Sequence, residues 1–195
     1  MRYPRKKAKY LQYIPHILLC ATVMLYYSKD KWYFGNGTGG TDWQIGSSLA
    51  SISNAGQTRS PSELRTFALQ LVNRDRWLNG LPALIETPLL SQSAQGHAED
   101  MMKRNYYDHI TPEGKTPTDR FNQVGGTGGV GENIMHLGSS PSNYLNFGLL
   151  EEFQRSWMYS KGHRVNLLTP NYRYFGYGIV VDPISREVYA VQNFQ

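Results

Sequence analysis

Five histidines are the first candidates for chemistry at neutral pH, because imidazole titrates near pH 7 and is a frequent metal ligand. His109 and His163 are predicted to lie in loops that directly follow helices. Glu132 lies on a predicted strand between Gly131 and Asn133, where burial would require a metal or an imidazole as its partner. Two imidazoles and one carboxylate form a three-ligand set that leaves a fourth position for water, as in catalytic zinc sites. Their wide separation in sequence leaves open that the three are unrelated.

The other three histidines are expected to have structural surroundings. His97 lies at helical spacing from the apolar residues Ala94 and Met101, which favours a hydrogen-bonded core histidine over a ligand. His136 has no acidic neighbour in sequence, which favours an exposed position at a sheet edge. His16 falls in an apolar N-terminal segment. His109 and His163 are therefore the two histidines for which a functional role is predicted.

Three other chemical interpretations are disfavoured by their sequence context. The run Gly126–Gly131 has the glycine spacing of a dinucleotide-binding loop, but it is predicted to follow a helix and open a strand, the reverse of the required order. Ser156 and Ser160 lack the surroundings of a hydrolase nucleophile. Cys20 is the single cysteine of the chain, so residues 60–195 contain no thiol nucleophile and no internal disulfide.

Four helices and three strands are predicted to position the candidate residues. Three of the helix starts combine a capping Ser or Thr with a proline suited to the first helical position. The predicted helices begin after Ser60, Thr87 and Thr116 and around position 149, and the predicted strands are 130–135, 175–181 and 188–194. The last two strands are separated by a short polar turn, which predicts a hairpin. Helices beside a small sheet indicate an α+β fold.

Composition and charge exclude several classes of protein. A chain of 195 residues with 40% hydrophobic residues fits one globular body with extensions. The net charge of +5 would suit a nucleic-acid binder, but residues 1–31 hold seven Lys and Arg against one Asp, while residues 32–195 hold 13 basic and 14 acidic groups. Nucleic-acid binding needs clustered cations on the folded body, so no nucleic-acid partner is expected.

The N-terminal region has the layout of an export signal or membrane anchor. Residues 10–27 contain no Asp, Glu, Lys or Arg, and as a helix they would span ~27 Å, close to the ~30 Å core of a bilayer. No small-residue cleavage pattern follows, which favours an uncleaved transmembrane signal anchor over a secreted product. The basic flank then stays inside and the body is extracellular. The predicted boundaries are an anchor at 1–31, a flexible Gly/Ser-rich linker at 32–59 and a domain at 60–195.

Several short motifs occur in the order found in one known family. They are Leu71-Val72-Asn73 with Arg76, Gly80-Leu81-Pro82, His97-Ala98-Glu99-Asp100-Met101, Asp108-His109, Gly131-Glu132-Asn133-Ile134, Trp157, Gly162-His163-Arg164-Val165-Asn166-Leu167-Leu168 and Phe175-Gly176-Tyr177-Gly178. Through them, residues 60–195 resemble the CAP superfamily of cysteine-rich secretory, antigen 5 and pathogenesis-related proteins, in its disulfide-free bacterial SCP-domain branch.

The resemblance implies an α-β-α sandwich with a small central antiparallel sheet and a central cleft. In the family this cleft carries two His and two Glu, and His109, Glu132 and His163 match three of the four. Ser160 stands where the second Glu is expected, which is a departure from the full pattern. The three matching residues are the predicted ligands of a divalent metal such as zinc, and the alternative is that they form a hydrogen-bonded polar core.

Two functions of different classes follow from the resemblance, and the family leaves enzymatic activity undecided. The first is an exported, membrane-tethered domain that binds a small apolar ligand, a lipid or a cell-envelope partner in the cleft. Four tyrosines near the histidine-bearing segments could line an apolar groove there, namely Tyr106, Tyr107, Tyr159 and Tyr172. The second is a metal-assisted hydrolase, in which His109 and His163 hold a zinc-bound water and Glu132 is a third ligand or acts as the base.

Overall fold

The computed structural model describes residues 43–51 and 54–195, which form five helices and four strands. In chain order these are α1 (Pro61–Leu78), β1 (Ile85–Glu86), α2 (Pro88–Arg104), α3 (Pro117–Gln123), β2 (Gly131–Leu137), α4 (Phe147–Tyr159), α5 (Lys161–Leu167), β3 (Tyr174–Val181) and β4 (Val188–Phe194). The predicted anchor at 1–31 lies outside the described residues. None of the described helices has the length and hydropathy needed to cross a bilayer.

The first three helices begin where their capping signals predict. Ser60 and Thr116 each form a capping box with the acidic residue three positions later, and Thr87 accepts a hydrogen bond from a backbone amide of the first turn. A proline occupies the first helical position each time. Helix α1 ends before Gly80, which adopts a φ of +70° that few other residues tolerate.

The sheet has the strand order β1-β3-β4-β2. The predicted hairpin is confirmed, since β3 and β4 pair antiparallel from Phe175 opposite Phe194 to Val181 opposite Val188. Strand β2 pairs antiparallel with the other edge of β4 and places Glu132 opposite Asn193. The two-residue strand β1 was not expected from the sequence and pairs parallel with β3, so the sheet is mixed rather than purely antiparallel.

Helices cover both faces of the sheet, which confirms the predicted α-β-α sandwich. One hydrophobic cluster joins α1 and α4 to one face of the sheet and includes Leu64, Phe67, Leu150, Trp157, Phe175 and Phe194. A second, smaller cluster joins α2 to the opposite face and includes Ala94, Ala98, Met101, Ile134 and Val191. Burial of these apolar surfaces is the main stabilising contribution to the three layers.

Two glycines allow α2 to lie directly on β3. A Cβ atom added to Gly176 would lie 2.2 Å from the backbone of Leu90, and one added to Gly178 would lie 2.3 Å from the backbone of Gln95. Real Cβ atoms do not approach this closely, so both positions exclude larger side chains. The glycines of the motif Phe175-Gly176-Tyr177-Gly178 are therefore required for the packing of α2 on the sheet.

Part of the predicted linker contacts the folded body. Within residues 43–51, the backbone amide of Gly46 donates to Asp75, and the amide of Leu49 donates to Glu151 at 2.5 Å. Asp75 and Glu151 are both buried. The compact unit accordingly extends from Trp43 to Gln195, because two buried carboxylates of the body use these residues as hydrogen-bond donors.

Candidate functional site

Glu132 is the centre of the candidate site, and its carboxylate is almost completely buried. It lies on β2, and its side chain is 1% exposed. The polypeptide positions it through the antiparallel pairing with β4 and through Asn166 of α5, whose side-chain amide donates to the Glu132 backbone carbonyl at 2.9 Å. A buried carboxylate at this place must be compensated by nearby donors or cations.

Arg120 supplies the first compensation. Its Nη2 donates to Oε2 of Glu132 at 2.6 Å, and the Arg120 side chain is 9% exposed. Its Nη1 donates to the backbone carbonyls of His109 at 2.8 Å and Lys115 at 3.1 Å. Arg120 therefore fixes the carboxylate and the His109 loop together, because one planar guanidinium binds both.

His109 is the second group that compensates the Glu132 carboxylate, and its ring is the part of the site that solvent can reach. Its Nδ1 lies 2.9 Å from Oε1 of Glu132 and donates to it, because a carboxylate can only accept. This hydrogen bond raises the pKa of the His109 imidazole above its ordinary value, while partial burial opposes the increase. The side chain is 46% exposed, so the ring is held from behind by Glu132 and is accessible to a ligand.

His163 lies in helix α5 rather than in a loop, which corrects the prediction. Ser160 has an extended backbone and ends α4, but the chain turns at once into a second helix. Burial lowers the pKa of His163, and repulsion from a protonated His109 lowers it further, so the two imidazoles are close enough to interact. The side-chain amide of Asn133 holds α5 to the sheet by donating to the His163 carbonyl at 3.2 Å.

His97 is a core residue, as its helical spacing predicted. It is 1% exposed, and its Nε2 lies 3.0 Å from the backbone carbonyl of Asp108. The same nitrogen lies 3.9 Å from Oε1 of Glu132. Burial lowers the pKa of His97, so the ring is neutral at pH 7 and helps to hold the segment before His109.

His136 lies on the edge strand β2, as predicted, but it is partly buried rather than exposed. Its ring stacks on Tyr189 with centroids 4.5 Å apart, and its Nε2 lies 3.8 Å from the Glu187 carboxylate. Cross-strand pairing with β4 creates this neighbourhood, which the linear sequence does not show.

The tyrosines predicted to line one groove are divided between different places. Tyr107 is 47% exposed and donates to the Ile134 carbonyl, and the Tyr172 hydroxyl lies against Gly131, next to the site. Tyr106 instead donates to Asp100. Tyr159 packs edge-on against Trp43. Of the four, only Tyr107 and Tyr172 therefore neighbour the site, and an apolar groove there stays a prediction.

A metal site that includes Glu132 would have to share its carboxylate with two donors of the protein. Oε1 of Glu132 accepts from His109 and its Oε2 accepts from Arg120, so each oxygen already has one donor and keeps one lone pair. Among the residues that the structure describes, no three His, Cys, Asp or Glu side chains are arranged to hold a metal ion together. Metal binding by His109, His163 and Glu132 stays a prediction, and the fourth family position is Ser160.

Arg120 is the site residue that sequence reasoning missed. The available signal was its position in α3, one residue after the acidic member of the capping box, Asp119. Because the capping box fixes the start of the short helix α3, the Arg120 side chain leaves the helix in a defined direction. Nothing local in the sequence indicates that this direction leads to Glu132, since the contact depends on how the loop and β2 meet.

Comparison with known proteins finds one matching family and two relatives from one bacterium. The cysteine-rich secretory protein family (CAP) matches residues 69–194. The chain is 34% identical over 127 residues to the protein YkwD of Bacillus subtilis (strain 168), covering 63% of this chain and 46% of YkwD. It is 32% identical over 143 residues to the membrane protein YlbC of the same organism, covering 71% of this chain and 35% of YlbC. The chain thus spans less than half the length of these curated relatives.

A solved structure supports the same grouping. The chain superposes with a TM-score of 0.56 and 30% identity on an extracellular protein containing a SCP domain from Bacillus anthracis str. Ames, covering 69% of this chain and 40% of that one. The sandwich of helices about the sheet, the family match over most of the body and the absence of cysteine from residues 60–195 agree with one another. The chain belongs to the CAP family of cysteine-rich secretory proteins.

Proposed function

We propose that this chain is an exported, membrane-tethered CAP domain protein that binds an amphipathic small molecule, such as a lipid of the cell envelope, without turning it over. The observation that carries the proposal is the His109 imidazole, which is half exposed and fixed from behind by the buried Glu132. Such a ring offers a fixed N–H or a positive charge to the polar end of a ligand.

The surroundings of the two imidazoles supply apolar contact. Tyr107 is 47% exposed and Ile110 is 40% exposed, and both belong to the loop of His109. Val165 is 60% exposed and lies on α5 near His163. Exposed apolar side chains beside a polar anchor are typical of sites for ligands with a polar head and an apolar body.

Tethering and export are supported by separate observations. Residues 10–27 form an apolar segment preceded by a basic flank, the layout of a signal anchor. The relative YlbC is described as a membrane protein, and the related Bacillus anthracis protein is described as extracellular. A cell-envelope location would bring the body within reach of lipids.

The geometry favours this binding role over a metal-assisted hydrolase. That reaction would need Glu132 as a metal ligand or as a general base, and both of its oxygens are engaged by His109 and Arg120. Zinc-dependent hydrolysis of peptide, ester or glycan substrates that disappears in both His109→Ala and Glu132→Ala would overturn the binding proposal.

Titration calorimetry with a defined lipid tests the proposal. Residues 43–195 contain both hydrophobic clusters and all described strands, so this fragment avoids detergent that would compete with the lipid. The probe is dioctanoyl phosphatidylglycerol below its micelle-forming concentration. We expect saturable binding that is about tenfold weaker in His109→Gln. Arg155→Gln, which removes an exposed cation from α4, is the matched control and should bind like the wild type.

A further inference from the structure

Aromatic and basic side chains share one surface at the junction of α4 and α5. We call it the α5 face, and its residues are Trp43, Tyr159, Lys161, Arg164 and Val165. The Arg164 guanidinium lies 4.3 Å from the centroid of the Trp43 ring, and Tyr159 packs edge-on against the same ring with centroids 5.3 Å apart. Lys161 precedes Arg164 and Val165 by three and four residues on α5, so the three side chains lie on one side of that helix. Tyr159 is 54% exposed and Val165 is 60% exposed, so the surface faces solvent.

The α5 face carries a positive charge. Lys161 and Arg164 are its two cations. The last carboxylate before them in the sequence is Glu152, and it interacts with the neighbouring cation Arg155. Asp42 precedes the first residue of the face in sequence and offsets at most one of the two charges. The balance stays positive, which favours contact with an anionic surface.

The α5 face lies at the end of the body where α1 and α4 both finish. Phe147, in the first turn of α4, stacks on Phe67 with ring centroids 4.2 Å apart. Two turns later, Gln154 of α4 donates to Asp75 of α1 at 2.7 Å. The two helices therefore run side by side in the same direction, and their last residues lie at the same end of the body.

The chain enters the described body at this same end. Gln44 exchanges two hydrogen bonds with Asn79, the residue that caps the end of α1, at 2.8 and 2.7 Å. Residues 28–42 separate the predicted apolar anchor from Trp43, and fifteen residues span about 50 Å even when fully extended. The surface beside Trp43 is therefore the one that can reach the bilayer with the least extension of the chain.

We propose that the α5 face docks on the headgroup region of an anionic phospholipid bilayer, the membrane that holds the chain. Trp and Tyr rings are favoured at the polar edge of a bilayer, and Lys and Arg are attracted to anionic headgroups. The inference rests on the membrane tether of the proposed function. It adds a geometry to that function, because His163 and Arg164 are consecutive on α5, so docking brings the cleft next to the lipid.

Fluorescence quenching in the full chain, reconstituted in vesicles, tests the proposal. The vesicles are an equimolar mixture of phosphatidylcholine and phosphatidylglycerol with a spin-labelled lipid as the quencher. In a Cys20→Ser background, a fluorophore is attached to Gly162→Cys, where an added Cβ meets no atom within 4 Å, or to Ile184→Cys, which is 92% exposed. Ile184 lies in the turn between β3 and β4, which contacts Asn143 before the start of α4 and so lies at the opposite end of the body. The label at position 162 should be quenched and the label at position 184 should not.

Matched variants separate docking from general charge and general hydrophobicity. Lys161→Gln should lower the ratio of docked to undocked body about fivefold, while Lys103→Gln, which removes an exposed cation from α2, should leave it unchanged. Tyr159→Ala should also lower the ratio. Tyr144→Ala removes a similarly exposed ring from the segment before α4 and should have no effect.

The outcomes distinguish failure of docking from failure of the tether. A chain that does not float with the vesicles would overturn the tether and the docking together. A chain that floats but is quenched equally at positions 162 and 184, or responds equally to the two lysine variants, would overturn docking alone. Equal quenching in vesicles of phosphatidylcholine alone would overturn the anionic partner. Shielding of position 162 that depends on the ratio of protein to lipid would assign the face to a second copy of the chain and overturn the proposal.

Discussion

The carboxylate of Glu132 connects the two parts of the candidate site. It accepts one hydrogen bond from a buried arginine and one from a half-exposed histidine, so its charge is shared between a structural contact and a ligand-facing one. Burial strengthens both interactions because water does not compete for the carboxylate. The residue is therefore expected to affect both stability and the titration of the cleft.

Replacing Glu132 by Ala should strongly destabilise the fold. The change leaves the guanidinium of Arg120 buried beside a cavity with no counter-charge, and breaking such a pair typically costs about 3–5 kcal/mol. The free energy of unfolding from urea denaturation measures the effect. A loss comparable to that of an exposed glutamate variant such as Glu152→Ala would contradict the assignment of Glu132 as the buried centre of the site.

The titration of His109 should depend on Glu132. In Glu132→Gln the charge that favours the protonated ring is absent, so the pKa of His109 should fall relative to the wild type. Because the folded-state pKa is raised, the stabilising contribution of this pair is complete below the ordinary histidine pKa and is lost as the pH rises through the folded-state value. NMR titration of the imidazole signals measures both proteins. An unchanged pKa in the variant would show that the 2.9 Å contact does not control protonation.

At the scale of elements, the residues before α1 form part of the body. Glu151 on α4 accepts hydrogen bonds from the Ser48 hydroxyl and the Leu49 and Ala50 amides, and it pairs with Arg74 at 3.0 Å. Composition alone predicts a flexible linker there, because Gly and Ser dominate. The Glu151 carboxylate that holds this segment lies about one hundred residues further along the chain, so no local sequence pattern indicates the contact.

Glu151→Gln should release this segment while leaving the rest of the fold intact. The loss of a charged acceptor shared by several donors should destabilise the protein by about 1.5–3 kcal/mol. Hydrogen exchange should accelerate at the Leu49 and Ala50 amides and remain slow in β3 and β4. Glu152→Gln, on the exposed neighbour, is the control, and equal acceleration in both variants would argue against the contact.

The contact between α2 and β3 gives a second prediction at this scale. Gly178→Ala places a methyl group against the backbone of Gln95, so it should destabilise the fold by about 1–3 kcal/mol or more. Gly96→Ala on α2 meets no atom within 4 Å and should instead stabilise the helix by about 0.5–1 kcal/mol. Thermal unfolding of the two variants provides the comparison. The packing explanation fails if both substitutions have the same sign.

At the scale of the whole molecule, the sequence predicted the layers better than the junctions between them. Capping signals and apolar spacing located α1, α2 and α3, and two strand-forming runs on either side of a polar turn located the hairpin of β3 and β4. These signals are local. The pairing of β1 with β3 and the contact between Arg120 and Glu132 depend on how distant segments meet, and neither has a local signature.

The candidate site shows the same division. His109 and Glu132 were predicted as partners, and the structure brings them together. His163 was expected in a loop but lies on a short helix, because one extended residue, Ser160, separates two helices instead of ending the helical region. The ligand assignment of Glu132 could not be judged from sequence, since it depends on what else occupies its two oxygens.

The most direct test of the binding account follows the imidazole signals of residues 43–195 by NMR while dioctanoyl phosphatidylglycerol is added. The ring signals of His109 and His163 should shift together and saturate, because the two imidazoles are close enough to interact with each other. The indole signal of Trp77, which is 76% exposed on α1, is the control and should stay in place. Saturable binding that leaves His109 and His163 unshifted, or no binding at all, would contradict the proposal that this cleft is the binding site.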